Sequence, residues 1–174
     1  MKTEWLKNDT ITLRSPEPED LELLYKMEND PDMWSTGNAT LPYSRYTLRR
    51  YLEESKQDIF TERQARFIIE LSNGASAGMI DLADFCPINN RAEVCIGILS
   101  EYRKQGIGYS ALKLLTEYAK EILHLHQLYA YIQLDNTASR RLFTSIGFEE
   151  AATLKEWQRN GNEYKDVVIT SLIL

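Results

Sequence analysis

The stretch Glu101-Tyr-Arg-Lys-Gln-Gly-Ile-Gly-Tyr-Ser110 carries the residue types that suit a phosphate. A helix N-terminus presents unpaired backbone N–H groups and the positive end of the helix dipole. Gly106 and Gly108 let a bulky anion reach the backbone without meeting a Cβ. Arg103 and Lys104 offer charge-assisted hydrogen bonds to phosphate oxygens. Two common phosphate binders fit poorly. A P-loop requires Lys and then Ser or Thr directly after its last glycine, and Tyr109-Ser110 is not that pair. Gly106-Ile-Gly-Tyr-Ser-Ala111 formally fits a dinucleotide fingerprint. However, Ser100 to Gln105 separate its first glycine from the preceding strand, and antiparallel hairpins come before it. A plain helix-capping glycine pair is the remaining alternative, and it would not require the adjacent Arg-Lys-Gln.

The elements that must position this loop are legible on both sides. Ala92–Leu99 reads as a strand and Ile107–Ile122 as an amphipathic helix. Earlier, Thr10–Arg14 alternates as a first strand, and Ser15-Pro-Glu-Pro-Glu-Asp20 gathers prolines and acids where a helix starts. That helix includes Leu21, Leu24 and Tyr25 and stops at Asn29-Asp-Pro-Asp32. Met33–Pro42, with Trp34, reads as an ordered loop, and Tyr46–Glu54 as a second helix. Ala65–Leu71 and Ala77–Leu82 flank an Asn-Gly turn and form a hairpin. After the loop come a strand over Leu128–Leu134 and a short helix over Thr137–Ile146, closed by Gly147. Two strands, Ala151–Trp157 and Tyr164–Leu172, turn at Asn160-Gly161. The order predicts one mixed α/β sheet with helices on both faces.

Composition narrows the partners. The 174 residues are most simply one domain, residues 1–174, and the hydrophobic fraction of 43% is ordinary for a soluble protein. A net charge of -6 argues against non-specific nucleic-acid binding and is compatible with a cationic substrate. Cys86 and Cys95 form no metal or redox spacing, which points to a reducing compartment. His124-Leu-His126 lacks further ligands for a metal. No apolar run approaches membrane-span length, and Met1-Lys-Thr-Glu-Trp5 does not begin a signal peptide, so the expectation is cytoplasmic with no membrane partner.

Arg103-Lys-Gln-Gly-Ile-Gly108 resembles the R/Q-x-x-G-x-G/A motif of the GNAT superfamily of acyl-CoA N-acyltransferases. Asn136-Thr-Ala-Ser139, Ile146-Gly-Phe148 and Gly161-Asn-Glu-Tyr-Lys-Asp166 resemble its later motifs in order. Arg14-Ser-Pro and Glu19-Asp-Leu21 resemble its opening strand and helix. The pattern is closest to that of the spermidine N-acetyltransferases, with Asn90-Arg-Ala-Glu93 entering the central strand. Ribosomal-protein N-terminal acetyltransferases are the nearest neighbours.

The resemblance implies a mostly antiparallel sheet of about seven strands, acetyl-CoA as co-substrate, and no metal. It places the pyrophosphate on the amides around Gln105, Gly106 and Gly108, with Arg103, Lys104 and Tyr109 alongside. The pantetheine arm would pair with the backbone near Ile98, and Asn136 would contact the cofactor or only cap its helix. A β-bulge, which Gly97 would permit, is expected to splay the central strand from its neighbour. Strand parity puts Glu93, Cys95 and Gly97 on one face and Val94, Ile96 and Ile98 on the other. Glu93 then looks toward the acceptor as base or amine ligand, unless a neighbour such as Arg91 pairs it off. Asp81, Asp84 and Trp34 are further candidates for binding a cationic acceptor.

One departure stands out. Where many members carry a tyrosine that protonates the leaving thiolate, this chain has Phe143, and Ser139 is the first substitute. The favoured acceptor is a primary aliphatic amine, with a polyamine (spermidine or spermine) ahead. N-terminal acetylation of a protein and a non-catalytic CoA-binding regulatory module are the alternatives, and a homo-oligomer is compatible with all three.

Overall fold

Alternation within the strands and the 3.6-residue period of the helices sort the apolar residues onto two faces of one sheet. The computed structural model describes residues 4–30 and 41–174. Among them, seven strands run in the order β1-β2-β3-β4-β5-β7-β6. They are β1 (Ile11–Arg14), β2 (Ala65–Leu71), β3 (Ser76–Cys86), β4 (Arg91–Ile98), β5 (Gln127–Gln133), β6 (Glu149–Asn160) and β7 (Glu163–Ile173). All neighbours are antiparallel except β4 and β5. The helices are α1 (Leu21–Glu28), α2 (Arg45–Glu54), α3 (Ile59–Glu62), α4 (Ile107–Glu121) and α5 (Thr137–Ile146). The predicted order of long elements holds; the short α3 was not read from the sequence.

Two cores cover the two faces. On one, Leu112, Leu115 and Ala119 of α4 and Phe143 of α5 pack with Phe67, Ile80, Val94 and Leu128. On the other, Leu24 and Met27 of α1 and Leu48 and Leu52 of α2 pack on Ile68 and Met79. Caps set where these helices begin and end. Ser44 accepts the Thr47 N–H at the start of α2, Asn136 accepts the Ser139 N–H at the start of α5, and Gly147 closes α5 at φ +110°.

The central strand β4 parts from β5 after Glu93, as expected, but without a bulge at Gly97. β3 and β4 keep register through Gly97, from Gly78↔Ile98 to Ala83↔Glu93, and the shift falls on β3 between Ala83 and Cys86. Gly97 is therefore not a bulge in the β3–β4 pairing. It is instead a point of close approach, since a Cβ on Gly78 would lie 2.1 Å from the Gly97 carbonyl oxygen. That oxygen is backbone and cannot swing away. Gly78→Ala should lower stability by about 1–3 kcal/mol, read as a fall in the denaturant midpoint; an unchanged midpoint would refute the close approach.

Candidate active site

β4 and β5 pair in parallel over only three residues, Arg91↔Gln127, Ala92↔Leu128 and Glu93↔Tyr129. Beyond that point they diverge, and a cleft of about 360 Å³ opens between them. Residues opposite one another in a parallel pair project to the same face. Glu93 and Cys95 of β4 therefore share a face with Tyr129 and Tyr131 of β5, the face that α1 and α2 partly cover. Val94, Ile96, Ala130 and Ile132 line the cleft from the other side, with Asn136, Ser139 and Phe143 of α5. The cleft thus connects the two faces of the sheet.

The cofactor-loop candidates lie at the start of α4, beside α5 and the end of β4. Lys104 at φ +62° and Gly106 at φ +78° turn the chain into α4. Among the described residues, no N–H from Lys104 to Tyr109 has a hydrogen-bond acceptor. Such a run of free donors at the end of a 15-residue helix is a ready anion site. Gly108 brings this end close to α5 and β4, since a Cβ there would stand 3.3 Å from Leu142 and 3.8 Å from Ile98. One N–H of the Arg103 side chain, expected beside the phosphate, and the side chain of Gln105, expected there through its amide, bond to nearby carbonyls. Arg103 Nε donates to the Ile98 carbonyl at 2.9 Å, and Gln105 Nε2 donates to the Glu101 carbonyl at 2.9 Å. The amides form the run of free donors, and Arg103 commits its Nε–H to the end of β4.

The Leu99 N–H bonds to the Ala77 carbonyl. Alternation along an antiparallel pair then turns the backbone groups of Val94, Ile96 and Ile98 away from β3, toward the cleft. Ile98, named for its backbone, has its carbonyl occupied by Arg103. Val94 N–H completes the last bridge to Tyr129, so the open edge begins at the Val94 carbonyl and continues at Ile96.

On the acceptor face, burial first and then the nearby Asp84 carboxylate push the Glu93 carboxyl up; the Cys95 thiol, 3.8 Å from Oε1, pulls it back slightly. Burial, Glu93 and Asp81 in turn push Cys95 up, so it stands as a neutral thiol. Asp81 is not open to a ligand's cation alone. Arg66 grips it with Nε and Nη2, at 2.7 Å for the latter, and reaches Glu28 with Nη1 at 2.6 Å. Burial still pushes Asp81 up against that cation. Arg91 takes the ring of Tyr129, 6.0 Å from its centroid. Trp34 lies outside the described residues.

Phe143 lines the cleft and is buried edge-on against Phe148, with centroids 4.9 Å apart. Ser139 lines it too, and its N–H is the one that Asn136 caps. Asn136 is thus a helix cap standing at the cleft. Two lining residues escaped the sequence reading. Trp157 stacks on Tyr131, with centroids 6.4 Å apart and planes 18° from parallel. It reaches there because β6 bulges between Leu154 and Gln158, with Glu156 at φ +48° and its N–H held by Asp166. The nearby Asn160-Gly161 signalled a turn, but nothing in the sequence signalled this bulge.

The family model described as Acetyltransferase (GNAT) domain matches residues 10–149. Spermidine N(1)-acetyltransferase of Escherichia coli (strain K12) is 26% identical over 160 residues, which cover 91% of this chain and 83% of the relative. The protein of the same name from Vibrio cholerae is 28% identical over 162 residues, 92% of this chain and 91% of the relative. A crystal structure of V. cholerae spermidine N-acetyltransferase in complex with CoA and spermine superposes with a TM-score of 0.84. It is 25% identical, over 95% of this chain and 96% of that one.

Proposed function

The chain belongs to the GNAT acetyltransferase family, and from that premise we propose that it transfers acetyl from acetyl-CoA to a primary aliphatic amine, with a polyamine such as spermidine or spermine favoured. The observation that carries this reading is the cleft between β4 and β5. It is lined by α5, against which the start of α4 with its free amides packs, and it opens onto a face bearing Glu93, Asp84, Asp81 and Glu28. A cationic acceptor approaches from that face, and the similar V. cholerae structure holds both CoA and spermine. Cys86 and Cys95 are free thiols, which fits a reducing cytoplasm.

The residues divide the work. The amides from Lys104 to Tyr109 hold the pyrophosphate, and Arg103 fixes the end of β4 by holding the Ile98 carbonyl. The open edge at the Val94 carbonyl and Ile96 pairs with the pantetheine amides, laying the arm in the cleft. Acetyl-CoA supplies an activated thioester there. Glu93 takes the proton from the attacking amine, directly or through water. Phe143 has no hydroxyl to give, so Ser139 is the donor assigned to the departing sulfur. A thiol of ordinary pKa near ~8.5 needs little such help.

Acetyl-CoA should raise the melting temperature, and spermidine or spermine should release thiol from it. Release with amino-terminal peptides alone would move the acceptor to a protein N-terminus. Binding without release by any amine would leave a CoA-binding module, and absence of binding would remove the reading.

A further inference from the structure

β3 carries one residue more than its partner at one end. Ala83 pairs with Glu93 and Cys86 with Arg91, so three steps along β3 face two along β4. Leu82 is fully buried in the core beneath α4, and strict alternation would send Asp84 into that same core. Instead Asp84 adopts φ +46° and lies exposed, while Phe85, only 4% exposed, takes the core position. Left-handed backbone costs a non-glycine residue on the order of 1 kcal/mol, and Asp and Asn tolerate it best. The bulge thereby turns a carboxylate out of the core and onto the face that Glu93 occupies. Tyr129 fixes it there, donating its hydroxyl to Oδ2 at 2.6 Å. Tyr129 sits on β5 in the last register pair before the strands part, opposite Glu93. The bond from β5 to β3 therefore crosses β4 at Glu93.

We propose that Asp84 is a positioning residue for the base: set beside Glu93 by the bulge and clamped by Tyr129, its negative charge makes Glu93 a stronger acceptor for the amine proton. This rests on the reading of Glu93 as the base. In the step concerned, the ammonium N–H bond breaks, an O–H bond forms on the Glu93 carboxylate, and the nitrogen keeps the electron pair with which it attacks. Glu93 later returns the proton to water. The other groups facing Glu93 do not supply this effect. On β4, Cys95 is a neutral donor and Arg91 lies over the Tyr129 ring. On β5, Tyr129 is held neutral by burial and by Asp84, and Tyr131 stacks on Trp157 of β6. Asp81 on β3 is offset by Arg66 of β2, which also engages Glu28 of α1. Burial acts on Glu93 first, and Asp84 is the charge that adds to it.

The test is Asp84→Asn, which tolerates the same φ and still accepts the Tyr129 hydroxyl, so that only the charge is lost. Titration of the Glu93 carboxyl carbon by NMR should show its midpoint about one pH unit lower in the variant. The acid limb of kcat/KM should move down with it, and Asp84→Glu should keep both near wild type. A midpoint that stays put overturns the proposal. So does a limb that stays put while the midpoint falls. The NMR titration needs no turnover, so a chain that releases no thiol with any amine refutes the functional reading separately.

Discussion

Glu93→Gln lowers kcat/KM by about a hundred- to ten-thousand-fold near neutral pH, the usual worth of a positioned general base. An alkylammonium titrates near ~10.4, so only about one molecule in a thousand is neutral at pH 7.4. Attack on a thioester needs the nitrogen lone pair, so the proton must leave inside the cleft. Glu93 is the carboxylate among the described residues lining that cleft. Burial and Asp84 push its carboxyl above the ordinary carboxylate range, which moves it toward the working pH and makes it a better proton acceptor. The sign with pH follows. Wild type loses the base as pH falls through the raised value. The Gln variant depends on neutral amine from solution, so its rate climbs about tenfold per pH unit toward the amine's own pKa. The deficit is widest at neutral pH and narrows by pH 9.5 to 10. The rise in melting temperature with acetyl-CoA stays as in wild type, because the α4 loop is untouched. Parallel pH profiles for the two proteins would remove Glu93 as the base.

What could be read ahead of the structure was mostly local. Gly106 and Gly147 mark positions where the backbone takes positive φ, and only glycine does so freely. Asn136 announces a helix start because its side chain satisfies an N–H group three residues on. The parity of β4, with Glu93 outward and Val94 inward, follows from the period of two. What could not be read depends on neighbours distant in the chain. Arg66 meets Asp81 because β2 and β3 pair them directly across the sheet, and it meets Glu28 because α1 packs on that face. Gly78 is required by the carbonyl of Gly97, nineteen residues on, and not by its own conformation. Ala83-Asp84-Phe85 reads as ordinary alternation, and the bulge appears only once β4 is beside it. Gly97 looked like the flexible point of the central strand, yet an aspartate on the neighbouring strand holds the bulge. A composition signal for bulges exists when the residue is glycine; here it is not.

Arg66→Met lowers stability by about 3 kcal/mol at pH 8, a fall of roughly 6–12 °C in melting temperature for a domain of this size. Arg66 is 20% exposed and spans Asp81, at 18%, and Glu28, at 24%. Removing one partner of such a group leaves charge partly buried without its counter-ion, which costs more than the intact arrangement gained. Burial pulls the guanidinium down, but Asp81 and Glu28 outweigh it and hold it well above its ordinary value. Asp81 supplies the pH signature. Its carboxyl is pushed up by burial even with Arg66 present, and loss of the cation moves it further up. A carboxyl with a raised folded-state pKa destabilises the fold above that value, and the loss is recovered as pH falls through it. The deficit of Arg66→Met relative to wild type is therefore complete at pH 8 and shrinks toward pH 5, as urea midpoints at the two pH values will register. Adding Asp81→Leu should recover part of the loss, since an apolar replacement removes the stranded charge. A deficit that is equal at both pH values and unmoved by the second substitution would mean that Arg66 contributes packing over Tyr51 and not charge. If the signature appears, Arg66 neutralises the Asp81 and Glu28 end of the acidic face. The acceptor's reacting ammonium is then left to the carboxylates at the other end, Glu93 and Asp84, where the strands part.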